Sequence, residues 1–284
     1  MKTADLQALI DRSLAEDMPD GDVTTEAIVP AGRRGRAVLL AKQDGILAGL
    51  GVFARVFKTI DVKTAVHQNV RDGQAFSSGQ ILAVVTGRTD ALLKAERTAL
   101  NFVQRLSGIA TTTREYVEAV AGAGARILDT RKTTPGLRDL EKYAVRKGGG
   151  VNHRRDLSSM VLIKDNHLAV AGSVRKAVAA ARAAYGRRFR VEVEVTSLSQ
   201  AAEAVAAGAD WIMLDNMNPS LMRKAVRLIG GRAKVEASGN VSLKTVRRTA
   251  ETGVDFISVG ALTHSIRAID LSLDIETEKK WSRP

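Results

Sequence analysis

Ala206–Asp215, AAGADWIMLD, and Glu251–Gly260, ETGVDFISVG, decide the fold, because the same construction occurs twice. In each, a helical pattern ends and a glycine, Gly208 or Gly253, stands where the chain needs a positive φ to leave the helix. A short apolar run then closes on Asp215 or Gly260. Continuous apolar runs are how strands read when helices cover both faces of a parallel sheet. Outward from this pair the unit recurs from Arg126 onward: RILDT (126–130), MVLIK (160–164), VEVEV (191–195), WIMLD (211–215), KVEAS (234–238) and FISVG (256–260), each leading into an Ala- or Leu-rich helical pattern. The fold class is therefore α/β, with a parallel β/α barrel whose chemistry gathers at the C-terminal ends of its strands. Six clear units fall short of the eight of a closed barrel, so an incomplete or seven-stranded barrel is expected.

Residues 1–107 read as a separate α+β domain, with a first helix over Leu6 to Glu16 and strand-like runs RAVLLAK (36–42) and ILAVV (81–85). A helix from about Ala91 to Leu106 then leads through SGIATTT (107–113) into the barrel, assigned to 108–266. In AIDLSLDIE (268–276), Ile269, Leu271, Leu273 and Ile275 alternate with polar neighbours, the pattern of a half-buried strand. Residues 267–284 are accordingly expected to return to the N-terminal sheet.

The chain has 284 residues, 45% of them hydrophobic, which suits a packed globular core. A net charge of +12 implies attraction to anions. With no cysteine there are no disulfides, thiolate nucleophiles or zinc knuckles. His67, His153, His167 and His264 are too scattered for a standard metal-ligand motif, so no protein-held metal is expected and any metal arrives with a substrate. Nothing at the N-terminus resembles a signal peptide and no run reaches the length of a membrane span, so the expected location is the cytoplasm. A nucleic-acid-binding role is disfavoured by an aromatic content of 4% and by cations placed at strand ends instead of in repeats.

Those cations concentrate between Asp129 and His167. Arg131, Lys132, Arg154 and Lys164 suit several carboxylate or phosphate groups on one small ligand, and Lys164 directly follows the apolar run Met160 to Ile163. His153, between Asn152 and Arg154, reads as a ligand contact. In VEVEV, Glu192 and Glu194 share one parity and the valines the other, so the acids face the barrel interior, where they need cationic partners such as Lys164 or Arg131. Asp215 closes an apolar strand and can accept ribose hydroxyls, hold a hydrated Mg²⁺ or cap a helix. The segments EASGN (236–240) and SVGALTHS (258–265) place small residues straight after strands, where backbone N–H groups can cradle phosphate.

Taken together, EDMPDGDVTTEAIVP, ERTALNFVQRLSGIAT, DTRKTTPGLR, EKYAVRKGGGVNHR, LIKDNH, EVEV, IMLDN, EASGN and GVDFISVGALTHS closely resemble the quinolinate phosphoribosyltransferases, a type II phosphoribosyltransferase family, over nearly the whole chain. The resemblance implies an N-terminal α/β sandwich, an open seven-stranded barrel and a C-terminal strand that rejoins the first domain. It implies transfer from phosphoribosyl pyrophosphate to quinolinate with decarboxylation, giving nicotinate mononucleotide. By residue, it implies that Arg131, Arg154 and Lys164, with Thr130, Lys132 and His153, receive the two carboxylates. It also implies that Glu194 and Asp215 contact ribose, and that Ser238, Gly239 and Asn240 with Val259, Gly260 and Ala261 hold phosphate. Lys132, Lys164, Glu194 and Asp215 are the implied catalytic set, with Mg²⁺ carried by phosphoribosyl pyrophosphate. Arg97 matches an arginine supplied by a neighbouring subunit of a homodimer, with the choice between a dimer and a hexamer of dimers left open by the sequence; by spacing alone it reads as an exposed helix cation paired with Glu96 or beside Lys94. Lys147, where a cysteine is common, and Arg155, Asp156 and Ser159 after NHR depart from the family pattern. A sister family linked to molybdate transport shares the fold but differs in the NHR and LIKDNH set, and a non-catalytic basic RNA- or ligand-binding protein is the remaining alternative.

Overall fold

Alternation along Val191–Val195 organises the second half of the chain: Val191, Val193 and Val195 are buried, while Glu192 and Glu194 lie on the other face of the strand. In the computed structural model, which describes residues 3–276, this strand lies in a six-stranded parallel sheet. Its order is Val161–Ile163, Val191–Val195, Trp211–Asp215, Lys234–Ser238, Phe256–Ser258 and Arg126–Leu128. All six are the strands expected from the repeating pattern. A seventh position is held by a single residue: Val151 bridges in parallel to Leu128, donating its N–H to Ile127 O at 2.8 Å. The barrel is thus open, with its seventh strand reduced to one bridge.

Helices Val174–Tyr185, Leu198–Ala206 and Pro219–Ile229 follow successive strands. Ser173, Ser197 and Asn218 cap them, each side chain accepting from a backbone N–H three residues on. Buried Ala177, Val178, Ala201, Ala204, Met222 and Ala225 form their inner faces. Gly208 and Gly253 do take positive φ, 77° and 91°.

The chain separates into two compact units. The second comprises Thr113–Thr134 and 150–265. The first comprises 3–112, Pro135–Gly149 and 266–276 of the described residues, so 135–149, assigned from sequence to the barrel segment 108–266, clusters with the N-terminal unit. The physical reason is polar anchoring of helix Arg138–Lys147. Arg105 donates from Nε and Nη2 to the fully buried Glu141 at 3.0 and 2.6 Å, and Tyr143 donates to Asp72 at 2.7 Å.

Within the first unit an antiparallel sheet runs in the order Leu271–Glu276, Arg34–Ala41, Ile81–Arg88, Ala65–Gln68. The C-terminal segment pairs with Arg34–Ala41 as expected, with Leu273 opposite Leu39; residues 277–284, like 1 and 2, lie outside the described residues. The first helix spans Thr3–Asp17. One expectation fails: SGIATTT does not interrupt the linking helix, which runs unbroken over Thr89–Ala119. Its poor helix formers are used in packing. Ser107 accepts from Ala48 N, Thr111 accepts from Ile46 N, and a Cβ on Gly108 would lie 2.0 Å from Arg267 O. No helix among the described residues is long and apolar enough to cross a membrane.

Because the obstacle at Gly108 is backbone, Gly108→Ala should destabilise the fold by about 2 kcal/mol or more despite alanine's better helix propensity. A thermal melt with an unchanged or raised midpoint would contradict this packing.

Candidate active site

Each candidate side chain in the second unit lies at or just beyond the C-terminal end of a barrel strand. Thr130, Arg131 and Lys132 follow Arg126–Leu128; His153 and Arg154 follow the bridge at Val151; Lys164 follows Val161–Ile163. Glu194, Asp215 and Ser238 end their strands, and Gly239, Asn240, Val259, Gly260 and Ala261 form the loops beyond. All of these line one cavity of about 680 Å³. Arg97 is exposed on helix Thr89–Ala119, in the first unit. His167 instead caps the next helix, its Nδ1 accepting from Lys164 N at 2.9 Å, and His67 is exposed on an edge strand.

The cationic wall is fixed from beneath. Asp129, fully buried, accepts from His153 N at 2.8 Å and from the Asn152 side chain, which orients the Asn152–Arg154 segment. Arg154 donates to Met160 O at 3.2 Å. Burial and the neighbouring Arg131 charge both lower its pKa, with Glu192 and Asp156 opposing. Two guanidinium groups held near each other in a partly desolvated wall make this side of the cavity cationic. Lys164 Nζ donates to Glu194 Oε2 at 2.7 Å, so the strand-end lysine is paired with the acid expected to need it.

Below this wall lies a more deeply buried cluster. His153 Nε2 is 2.8 Å from Glu192 Oε2 and 3.5 Å from Glu236 Oε2, and Ser258 donates to Glu236 Oε1. Both glutamates are fully buried. Burial pushes the Glu192 carboxyl up to about 7, and burial together with the charge of Glu192 pushes Glu236 well above the carboxylate range.

The opposite side of the cavity is built from loops. Asn216 and Asn240 both take positive φ, 51° and 50°, and Asn240 Nδ2 donates to Asn216 Oδ1 at 3.1 Å. Between them in space sits Gly239, at φ 94°, where a Cβ would come within 2.2 Å of Asn216 Oδ1. Gly260 approaches His264 and Lys132 closely, and Thr263 donates to Lys132 O at 2.8 Å, tying the lysine loop to the glycine loop. Small residues are thus required at these strand ends by close approach. That leaves the concave backbone open to a polyanion.

Sequence reasoning missed several members. Asp129, quoted only as part of DTRKT, is the anchor of the histidine loop. Asn216, Val241, Ser258 and His264 also line the cavity. The signal for Glu236 was present, since its parity in KVEAS is that of Ser238, which faces the cavity. The departures from the family pattern form their own local structure: Asp156 accepts from Arg155 at 3.0 Å, Ser158 Oγ at 2.8 Å and Ser159 Oγ at 2.6 Å, which lowers its pKa. Lys147 Nζ lies 5.3 Å from the centre of the Tyr143 ring.

Comparison with known proteins agrees with this geometry. Residues 22–107 match the quinolinate phosphoribosyl transferase N-terminal domain and residues 109–274 its C-terminal domain. A probable nicotinate-nucleotide pyrophosphorylase (carboxylating) of Bacillus subtilis is 43% identical over 277 residues, covering 97% of this chain and 95% of that protein. A quinolinate phosphoribosyltransferase (decarboxylating) of Nicotiana tabacum is 42% identical over 97% of this chain and 84% of its own length. The crystal structure of NadC from Streptococcus pyogenes superposes with a TM-score of 0.94 at 44% identity, covering 97% of this chain and 98% of that one. The chain belongs to the quinolinate phosphoribosyl transferase family.

Gly239→Ala should weaken binding of inorganic pyrophosphate roughly tenfold or more, since the new methyl must displace Asn216 and the loop with it. Titration calorimetry on the folded variant reads this directly. Unchanged affinity would remove the Ser238–Asn240 loop from the anion site.

Proposed function

We propose that this protein transfers the phosphoribosyl group of phosphoribosyl pyrophosphate to quinolinate and decarboxylates the product, giving nicotinate mononucleotide, pyrophosphate and CO₂ in NAD biosynthesis. The observation that carries this reading is one cavity with cations on one wall, Arg131, Arg154 and Lys164, and two small-residue loops on another, with Glu194 and Asp215 at strand ends of the same cavity. A pyridine dianion suits the first wall and phosphate groups the second.

The chemistry follows from placement. The pyridine nitrogen attacks ribose C1, pyrophosphate leaves, and the positive charge that develops on the sugar is stabilised by the carboxylates of Glu194 and Asp215. Mg²⁺, bound to the pyrophosphate when that substrate enters, would offset charge on the leaving group. The quaternised ring then loses its C2 carboxylate as CO₂: the C–C bond breaks, its electron pair stays on C2 beside the positive nitrogen, and a proton completes the product. Lys132 and Lys164 hold the anionic groups in register, and no covalent intermediate with the protein is required.

Nicotinic acid lacks the second carboxylate, so it should be a poor substitute for quinolinate. Leaving the cations for that group unpaired costs on the order of 2–5 kcal/mol. Steady-state assays with both acids test this, and equal turnover would defeat the dicarboxylate reading.

Arg97 fits the same proposal as a contribution to a second copy's cavity, which calls for a two-fold homodimer. Its exposure on a helix of the first unit leaves its guanidinium available to a partner subunit. Mixing inactive Arg97→Ala with inactive Lys164→Ala under subunit exchange should restore activity, because a mixed dimer carries one doubly damaged site and one intact site. Persistent inactivity after proven exchange would take Arg97 out of a shared site.

A further inference from the structure

Glu192 and Glu236 are fully buried in the barrel interior, and the reaction proposed above assigns neither of them a role. One carboxyl oxygen of each and a ring nitrogen of His153 lie within 4.8 Å of one another. Two donors reach this group: His153 Nε2, at 2.8 Å from Glu192 Oε2, and the Ser258 hydroxyl, on Glu236 Oε1. Glu192 Oε1 and Glu236 Oε2 are buried without a hydrogen-bond donor. An ionised carboxylate only accepts, and two of them side by side in a dry interior repel, so the pair cannot remain doubly charged. One added proton removes both difficulties, because a protonated carboxyl donates to its neighbour.

We propose that Glu236 holds that proton and Glu192 carries the charge, so that the pair fixes the His153 ring at Nε2 and acts as the positioning floor of the dicarboxylate pocket. Which glutamate is which follows from their surroundings. Glu192 faces the charges of Arg154 and Lys164, which favour its anion against the repulsion of Glu194. Glu236 faces Glu192 and Ser258, with His153 at the longer distance of 3.5 Å. Both carboxyls are raised, so each is neutral at low pH and ionises late. Glu192, at about 7, ionises before Glu236. Below that value Glu192 loses its hold as an acceptor for His153. The direct bond between His153 and Glu192 argues for a proton here over a metal ion, which would have to lie between them.

The assignment rests on the dicarboxylic-acid reading of the pocket, so its test includes a readout that needs no turnover. Infrared difference spectroscopy of the intact wild-type protein at mildly alkaline pH should show the carbonyl stretch of a buried protonated carboxyl, lost in Glu236→Gln. In kinetics, Glu236→Ala should raise KM for quinolinate about tenfold with little change in kcat, and Glu236→Gln, which restores a neutral donor, should recover most of that loss. Wild-type KM should rise as pH falls through about 7, and Glu192→Gln should flatten that limb. Absence of the infrared band, Gln no better than Ala, or an acid limb unchanged in Glu192→Gln would each overturn the proposal. So would a stoichiometric divalent ion in the purified wild type that Glu236→Gln loses. If wild type shows the band but does not turn over quinolinate, the proton assignment stands and the substrate reading falls.

Discussion

Side-chain parity on short parallel strands is the constraint on which the rest of this structure depends. A strand covered by helices must give one face to apolar packing, and Val191, Val193 and Val195 do so. Every second residue is then committed to the barrel interior, whatever its polarity. That is how Glu192, Glu194, Asp215, Glu236, Ser238 and Ser258 come together although they are spread over four strands. Burying an unpaired acid costs several kcal/mol, so this interior is stable only if cations, hydroxyls or protons meet the acids.

The charge distribution follows from that requirement. Toward the strand ends, Glu194 is met by Lys164; deeper, Glu192 is met by His153, and Glu236 by a serine hydroxyl. On the same wall, burial and the neighbouring Arg131 charge disfavour the charged form of Arg154. In the proposed reading an incoming dianion offsets that effect, and a proton held on the deep carboxyl pair keeps the negative charge beneath the dianion low. The net charge of +12 adds attraction at long range, but specificity comes from this layering.

Much of this was legible in the sequence because strand ends are short-range features. All six barrel strands and the parity of VEVEV could be read from apolar runs and glycine punctuation. What could not be read depends on partners far away along the chain. Ser107, Gly108 and the threonines after them have poor intrinsic helix propensity and suggest a break, yet their contacts with Ala48, Ile46 and Arg267 hold them in a long helix. Helix Arg138–Lys147 gives no sign in sequence that it belongs with the first unit, because the decisive partners, Arg105 and Asp72, lie 36 and 71 positions away. Asp129 has no distinguishing mark in DTRKT, because its role rests on accepting from the His153 backbone N–H and the Asn152 side chain, 24 and 23 positions away.

The same distinction separates the residues that can vary from those that cannot. Arg155, Asp156 and Ser159 depart from the family pattern, and Asp156 gathers Arg155 and the hydroxyls of Ser158 and Ser159 around itself. Gly239 and Gly260 are constrained by close approach. At Gly239 an added Cβ would meet Asn216 from another strand end, and at Gly260 it would meet His264 of the helix that follows and Lys132 from another strand end. A methyl at Gly239 would shift the Asn216–Asn240 contact, and one at Gly260 would press on the lysine that Thr263 holds by its carbonyl. The cavity is therefore sensitive to volume where its loops converge. A pocket that must exclude water around a transferring sugar while accepting two large anions needs this arrangement.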